Sequence, residues 1–166
     1  IKTDLSCKSD IQILYCGKRI NTKNHIYGPE KRNHYLLVLV NEGEAVLYGE
    51  KEQILKPHDL LVMHPGETIC YKAKTPWSIQ WVGLNGDIIC EYIEKLGIKK
   101  SNPVIHVGLY NEVEFIMDKL YRTVKNNTSS SKIWQLGLIF NLFAVLFECN
   151  ELKAGQDYVK HVVEKI

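Results

Sequence analysis

Apolar positions in this chain follow two periods, and the change falls near residue 86. From Tyr35 to about Leu84 they come in short runs: Tyr35 to Val40, Ala45 to Tyr48, Glu52 to Leu55, Leu60 to Met63, Ile69 to Ala73 and Trp77 to Leu84. Turn formers separate them: Asn41-Glu42-Gly43, Gly49-Glu50-Lys51, Pro57-His58-Asp59, Pro65-Gly66 and Lys74-Thr75-Pro76. Short strands recurring at roughly 8–12-residue spacing with such punctuation predict an antiparallel sandwich or barrel. Ile11 to Cys16 and His25 to Tyr27 read as further strands or as an arm ahead of it.

Beyond Asn85-Gly86 the period is helical. Ile88, Ile89, Tyr92, Ile93 and Leu96 recur at helix spacing, and Gly97 follows as a C-cap. Asn111 with Glu114 has the spacing of a capping box, with Asn in place of Ser or Thr, ahead of Val113, Phe115, Ile116, Leu120 and Tyr121. Lys125 to Ser131 reads as a polar loop. A third helix, about Lys132 to Leu152, is apolar nearly all round, and such a helix has to be covered on two sides. The barrel is one cover; a neighbouring helix or a second subunit is the other. Ala154-Gly155-Gln156 interrupts the pattern, and Tyr158, Val159, Val162, Val163 and Ile166 start a fourth amphipathic helix. The sequence stops inside that pattern, so a longer protein is expected. Strands first and helices after give an α+β fold. The expected units are a β-barrel with an N-terminal arm over residues 1–86, a helical segment packed on it over 87–153, and a linker into a further domain over 154–166.

Composition excludes some functions. A net charge of +2, from 21 basic and 19 acidic residues, is too balanced for a nucleic-acid clamp, so any DNA contact lies outside this segment. Cys7, Cys16, Cys70, Cys90 and Cys149 form no CxxC pair and no zinc spacing, which suits free thiols in a reducing compartment. The start, Ile1-Lys2-Thr3-Asp4, has no apolar run behind it, so no secretory leader is expected. Ile133 to Phe147 contains Gln135, Gly137 and Asn141 and falls short of the roughly 20 residues of a membrane span. A cytoplasmic protein without a membrane partner is the expectation.

Specific residues sharpen the fold class. Tyr27-Gly28-Pro29, Arg32 and Tyr35-Leu36-Leu37 are followed by Gly43, by Leu55-Lys56-Pro57 with Asp59-Leu60, and by Pro65-Gly66 and Tyr71. Pro76-Trp77-Ser78 and Trp81-Val82-Gly83-Leu84-Asn85-Gly86 complete the series. Over roughly 60 residues this ordered set resembles the N-terminal cupin-like domain of AraC-type (AraC/XylS family) transcription regulators, in particular their sugar-responsive branch. The resemblance implies a double-stranded β-helix, or jelly-roll, barrel that binds a small effector, with dimerisation through the helices. It implies DNA binding as a homodimer through a helix-turn-helix domain absent from this sequence, whose first helix the segment Tyr158 to Ile166 resembles. His58 departs from the family's usual glycine, at a turn where a positive φ suits glycine better.

Cupin-like barrels often hold a catalytic metal, which needs about three His or carboxylate side chains converging on one point. Here the early strand offers Leu36, Val38 and Val40, and the position after Pro65-Gly66 expected to hold a ligand histidine carries Ile69. His25, His34, His58, His64, His106 and His161 lie at strand ends, turns or helices, as solvated or hydrogen-bonded histidines do. His64, at the rim beside Pro65, is the one kept as a candidate. No catalytic residues, metal or cofactor are assigned. A metal-dependent cupin enzyme acting on a sugar or small metabolite, and a stand-alone binding domain, remain the alternatives.

Strand alternation puts Trp77, Ile79 and Trp81 on one face, Ile69, Tyr71 and Ala73 on another, and Glu42 on the face of Leu36, Val38 and Val40. By the resemblance, Trp81 and Tyr71 occupy places from which the arabinose-sensing relative contacts its sugar. An indole face suits the C–H face of a pyranose, and Glu42 suits its hydroxyls. Core filling is the competing reading for both aromatics, and plain exposure for Glu42. Candidate ligand contacts are Trp81, Tyr71, Glu42, Ile79, Val40, Arg32, Tyr27 and His64, with Arg32 and Tyr27 either closing the cavity or pairing with surface acids. The candidate dimer contacts are Trp134, Leu138, Leu142, Val145 and Leu146, against burial between the barrel and the preceding helix.

Overall fold

In a computed structural model the described residues are 10–49, 51–126 and 128–163, with side chains described through residue 157. Cys7 and the closing residues 164–166 lie outside them, as do the side chains of 158–163. The expected amphipathic face of Tyr158 to Ile166 therefore lies outside the described side chains.

Eight strands come first: β1 (Gln12–Thr22), β2 (Ile26–Lys31), β3 (Tyr35–Glu42), β4 (Ala45–Tyr48), β5 (Gln53–Leu55), β6 (Asp59–Met63), β7 (Thr68–Ala73) and β8 (Trp77–Asn85). Helix α1 (Asp87–Lys95), strand β9 (Val104–His106) and helices α2 (Tyr110–Asn126) and α3 (Ser129–Val163) follow. A five-stranded sheet in the order β1-β8-β3-β6-β9 faces a four-stranded sheet in the order β2-β7-β4-β5. The fold is an α+β cupin-like barrel with a helical segment.

The five-stranded sheet separates two cores. Leu36, Val38, Val40, Leu61 and Ile79 pack into the space between the sheets with Leu55, Tyr71 and Trp77. Leu37, Leu39, Leu60, Val62, Val82 and Leu84 face the helices. Burial on both faces explains why β3 and β6 are continuous apolar runs without alternation. β1 is an edge strand, mostly exposed and charged beyond Gly17, and so extends past the apolar Ile11 to Cys16 that marked it in the sequence. β9 carries only Val104-Ile105-His106, too short to stand out, and exists because it pairs with β6.

Three helix expectations need correction. α1 ends as foreseen, with Gly97 at φ 73° and bonds from Gly97 N–H to Glu94 and from Ile98 N–H to Ile93, a Schellman motif. Asn111, however, lies inside α2, and Glu114 accepts a hydrogen bond from Asn41 of the barrel instead of capping the helix. The loop read at Lys125 to Ser131 is mostly helix: Thr128 and Ser131 exchange backbone-to-hydroxyl bonds at 2.7 and 3.2 Å, a reciprocal capping box that opens α3. Finally, α3 runs through Ala154-Gly155-Gln156 unbroken. A mid-helix glycine weakens a helix by only about 1 kcal/mol and need not end it.

Ser129–Asp157 is long and apolar enough to cross a membrane by length and composition, more than its short apolar stretch suggested. In this fold its Leu138, Ile139, Leu142, Phe143 and Leu146 are buried in the core shared with α2 and the barrel. Three of the five expected dimer contacts, Leu138, Leu142 and Leu146, are therefore covered within the chain. Val145 is half-buried, and Trp134 is exposed beside Ile133 and Phe140.

Candidate functional site

β1 and β2 are edge strands of the two sheets, at the same end of the sandwich. Between them lies a cavity of about 330 Å³, lined among others by Tyr15 and Arg19 of β1, Tyr27 of β2, Tyr71 of β7, and Ile79 and Trp81 of β8. This volume is at the lower end of the roughly 300–1,000 Å³ that small-molecule sites span. The rest of the interior is filled: Val40, Leu55, Leu61 and Trp77 are fully buried.

Two glycines make the cavity wall. β1 and β8 are antiparallel, with Tyr15 opposite Gly83 and Gly17 opposite Trp81. A Cβ on Gly17 would come within 2.1 Å of the Trp81 ring, and one on Gly83 within 2.8 Å of the Tyr15 ring. Each aromatic thus lies over the bare backbone of the facing strand, a cross-strand pairing that also shields the glycine. Alternation then puts Arg19 on the same face as Tyr15 and Gly17.

Aromatic rings continue around the wall. Tyr27 and Tyr71 stack with centroids 5.0 Å apart, and Tyr71 meets Trp77 edge-on at 5.2 Å. The Trp77 indole N–H donates to His25 Nδ1 at 3.1 Å, so that nitrogen is unprotonated and His25 is neutral. Burial, reinforced by the Arg19 charge, holds the His25 imidazole below its usual value. Burial also pushes the Tyr71 hydroxyl well above the usual phenol range. Tyr71 is 2% exposed and lines the cavity.

Arg32 sits at the mouth. Its Nε donates to the Tyr27 hydroxyl at 2.5 Å and its Nη2 to Glu30 at 3.1 Å, and its guanidinium lies over both the Tyr15 and Tyr27 rings. Tyr15 in turn is tied to His34 Nε2 at 2.6 Å. Arg32 thus pairs with the surface acid Glu30, Tyr27 pairs with Arg32, and both line the cavity.

The cavity thus gathers five of the eight expected contacts: Trp81, Tyr71, Ile79, Arg32 and Tyr27. Val40 belongs to the filled core. Glu42 needs correction. A register shift between Val40 and Glu42 breaks the alternation, and the Glu42 carboxylate accepts from Ser78 Oγ on the helix side of the sheet. There it lines a more open cleft of about 750 Å³ with Asn41, Gln80, Tyr110 and Glu114. His64 is nearly buried against Tyr35, outside the cavity. Its Nδ1 lies 3.4 Å from the Glu67 carboxylate, within ion-pair reach yet not aligned for a hydrogen bond, while the same carboxylate accepts from the His64 backbone N–H. Among the described residues no three His, Cys, Asp or Glu side chains gather as a metal centre requires. Gly17 and Arg19 were missed because a charged edge strand gives no core signal; the alternation Tyr15, Gly17, Arg19 was the available clue.

His58 adopts φ 72°, the conformation its family position suggested. Its ring stacks on Tyr110 with centroids 3.9 Å apart, a contact glycine lacks and an offset to the backbone strain.

Three known proteins are similar to this chain. A lactose operon transcription activator of Staphylococcus xylosus is 26% identical over 127 residues, covering 73% of this chain and 45% of that protein. The chain thus spans less than half the length of that curated relative. The crystal structure of the AraC-like transcriptional activator CuxR superposes with a TM-score of 0.51 at 11% identity, over 84% of this chain and 49% of that one. A cupin superfamily protein from Desulfitobacterium hafniense DCB-2 matches at 22% identity and TM-score 0.36, over 45% of this chain and 67% of that one. The family model described as the AraC-like ligand binding domain matches residues 13–143. A match over most of the sequence, on the strands and helices described above, places this chain in the AraC-like ligand binding domain family.

Proposed function

We propose that this chain is the effector-sensing and dimerisation half of a cytoplasmic AraC-type transcription regulator, that its effector is a sugar, and that it performs no catalysis. The observation that carries this reading is the cavity whose wall is Trp81, Tyr71 and Tyr27. Flat aromatic faces and scattered donors are what a pyranose needs. The relative that activates a lactose operon supports a sugar effector and transcriptional control. DNA contact belongs to a helix-turn-helix domain outside this sequence.

β1 offers a route for the signal. Its inner face carries Arg19, and its outer face carries Lys18, which donates to Asp118 of α2 at 3.1 Å and lies over the Tyr121 ring. A ligand that binds one position of β1 more tightly than another would thereby bias α2, and α2 packs along α3. Ile133, Trp134 and Phe140 leave an apolar stripe on α3 for a second copy of the chain.

A thermal-shift screen against a panel of sugars tests the reading. At a ligand concentration of 100 Kd the folded state gains about 2.7 kcal/mol, or about 5–10 °C in Tm for a chain this size. A flat response across the panel at high millimolar concentration overturns the sugar assignment. Sedimentation should give a dimer; a monomer at high micromolar concentration overturns the proposed dimerisation.

A further inference from the structure

We infer that the effector carries an anionic group, phosphate or carboxylate, which Arg19 and Arg32 hold at the mouth of the cavity while its ring lies against Trp81. The inference rests on the reading of this cavity as the effector site and specifies the ligand's chemistry.

The cavity's charge is lopsided. Its lining contains two guanidiniums, Arg19 and Arg32, and one carboxylate, Glu30. Glu30 is already taken by Arg32 Nη2 at 3.1 Å. Arg19 is exposed and has no hydrogen bond or carboxylate partner among the described residues; its place on β1 opposite Ile79 sets it against this cavity, and it borders the outer cleft as well. A guanidinium offers five N–H donors and accepts nothing. On Arg32, Nε and one Nη2 hydrogen are engaged, which leaves the Nη1 pair free.

The remaining polar groups point to the same chemistry. Tyr71 is nearly fully buried and lines the cavity with a hydroxyl able to donate. His25 spends Nδ1 on the Trp77 N–H, so its Nε2 carries the proton and is a donor. Burial first, and the nearby Arg19 charge second, lower the His25 imidazole value, so the Arg19 guanidinium is felt at this wall of the cavity. Donors therefore outnumber uncommitted acceptors, the reverse of what a neutral polyol, donor and acceptor at each hydroxyl, would select. A fork of guanidinium donors matches the geometry of a carboxylate or phosphate. The small volume limits such a ligand to about one sugar ring with one charged substituent.

The test is isothermal titration of the chain with glucose, glucose 6-phosphate, glucuronate and inorganic phosphate. Glucose 6-phosphate or glucuronate should bind at least roughly tenfold more tightly than glucose, equivalent to about 1.4 kcal/mol. Which of the two wins distinguishes phosphate from carboxylate. The preference should shrink to within about threefold in Arg19→Gln and should weaken as salt is raised from roughly 0.05 to 0.5 M. Inorganic phosphate should bind more weakly than glucose 6-phosphate, because it makes no contact with Trp81. If Arg19→Gln unfolds, Arg19→Lys must retain the preference and lose only part of the affinity. Glucose binding as tightly as its anionic counterparts, or a preference unchanged in Arg19→Gln, overturns the inference and leaves the sugar site standing. Failure of all four probes to bind overturns the sugar reading of the cavity together with it.

Discussion

Gly17→Ala tests how the cavity wall is built, without any ligand. The new methyl would meet Trp81 Cζ2 at 2.1 Å and Cε2 at 2.3 Å, so the indole has to move. Gly17 does not have a left-handed φ, so the backbone accepts alanine. Forcing a ring from a packed position costs about 1–3 kcal/mol, and the reduced freedom of the unfolded chain returns about 0.4–1 kcal/mol. The single variant should therefore lose between about 0 and 2.6 kcal/mol in urea unfolding. In a Trp81→Ala background the obstacle is gone, and Gly17→Ala should become neutral or stabilising by about 0.4–1 kcal/mol. The cycle of four proteins thus carries a coupling of about 1–3 kcal/mol. Additive effects, within about 0.5 kcal/mol, would refute the claim that Trp81 lies over Gly17.

Further outcomes follow from other sites. Gly83→Ala should show the same coupling with Tyr15→Ala, smaller because the closest approach there is 2.8 Å. His58→Gly relieves φ 72° but removes the stack on Tyr110, so urea unfolding should change by less than about 1 kcal/mol, and His58→Ala, which keeps the strain and loses the stack, should be the less stable. Burial, reinforced by Arg19 and Arg32 respectively, holds His25 and His34 below the ordinary imidazole value. The unfolded state binds more protons there, so stability is complete above about pH 7 and falls as the pH drops below about 6.5; His25→Gln should flatten part of that slope in urea titrations. Burial pushes the Cys16 thiol up to about 12, so iodoacetamide at about pH 8 should spare Cys16 in the folded chain and modify it once the chain unfolds in urea.

Much of the barrel was legible because strands and turns leave local marks. Each run from Tyr35 to Leu84 became a strand within a residue or two, and parity placed Trp81 and Tyr71 on inner faces. What stayed hidden depends on pairing across the chain. Asn41 is the extra residue of a register shift, and nothing in Val40-Asn41-Glu42 announces that Glu42 will turn toward Ser78. Gly17 and Arg19 acquire meaning only once β1 is known to lie against β8. On α3 an apolar circumference fixed burial but not direction: Leu138, Leu142 and Leu146 turned inward, leaving Ile133, Trp134 and Phe140 outside. The Thr128–Ser131 cap was local and readable, but its polar composition resembles that of a loop.

The most direct measurement is NMR mapping of where a bound effector sits, using side-chain resonances of the aromatic and arginine residues. Binding should shift Trp81, Tyr71, Tyr27 and Arg32, which share the cavity between β1 and β2 and do not line the outer cleft. Shifts confined to Asn41, Gln80 and Tyr110, which line the outer cleft, would contradict the account by locating the ligand on the other side of the sheet.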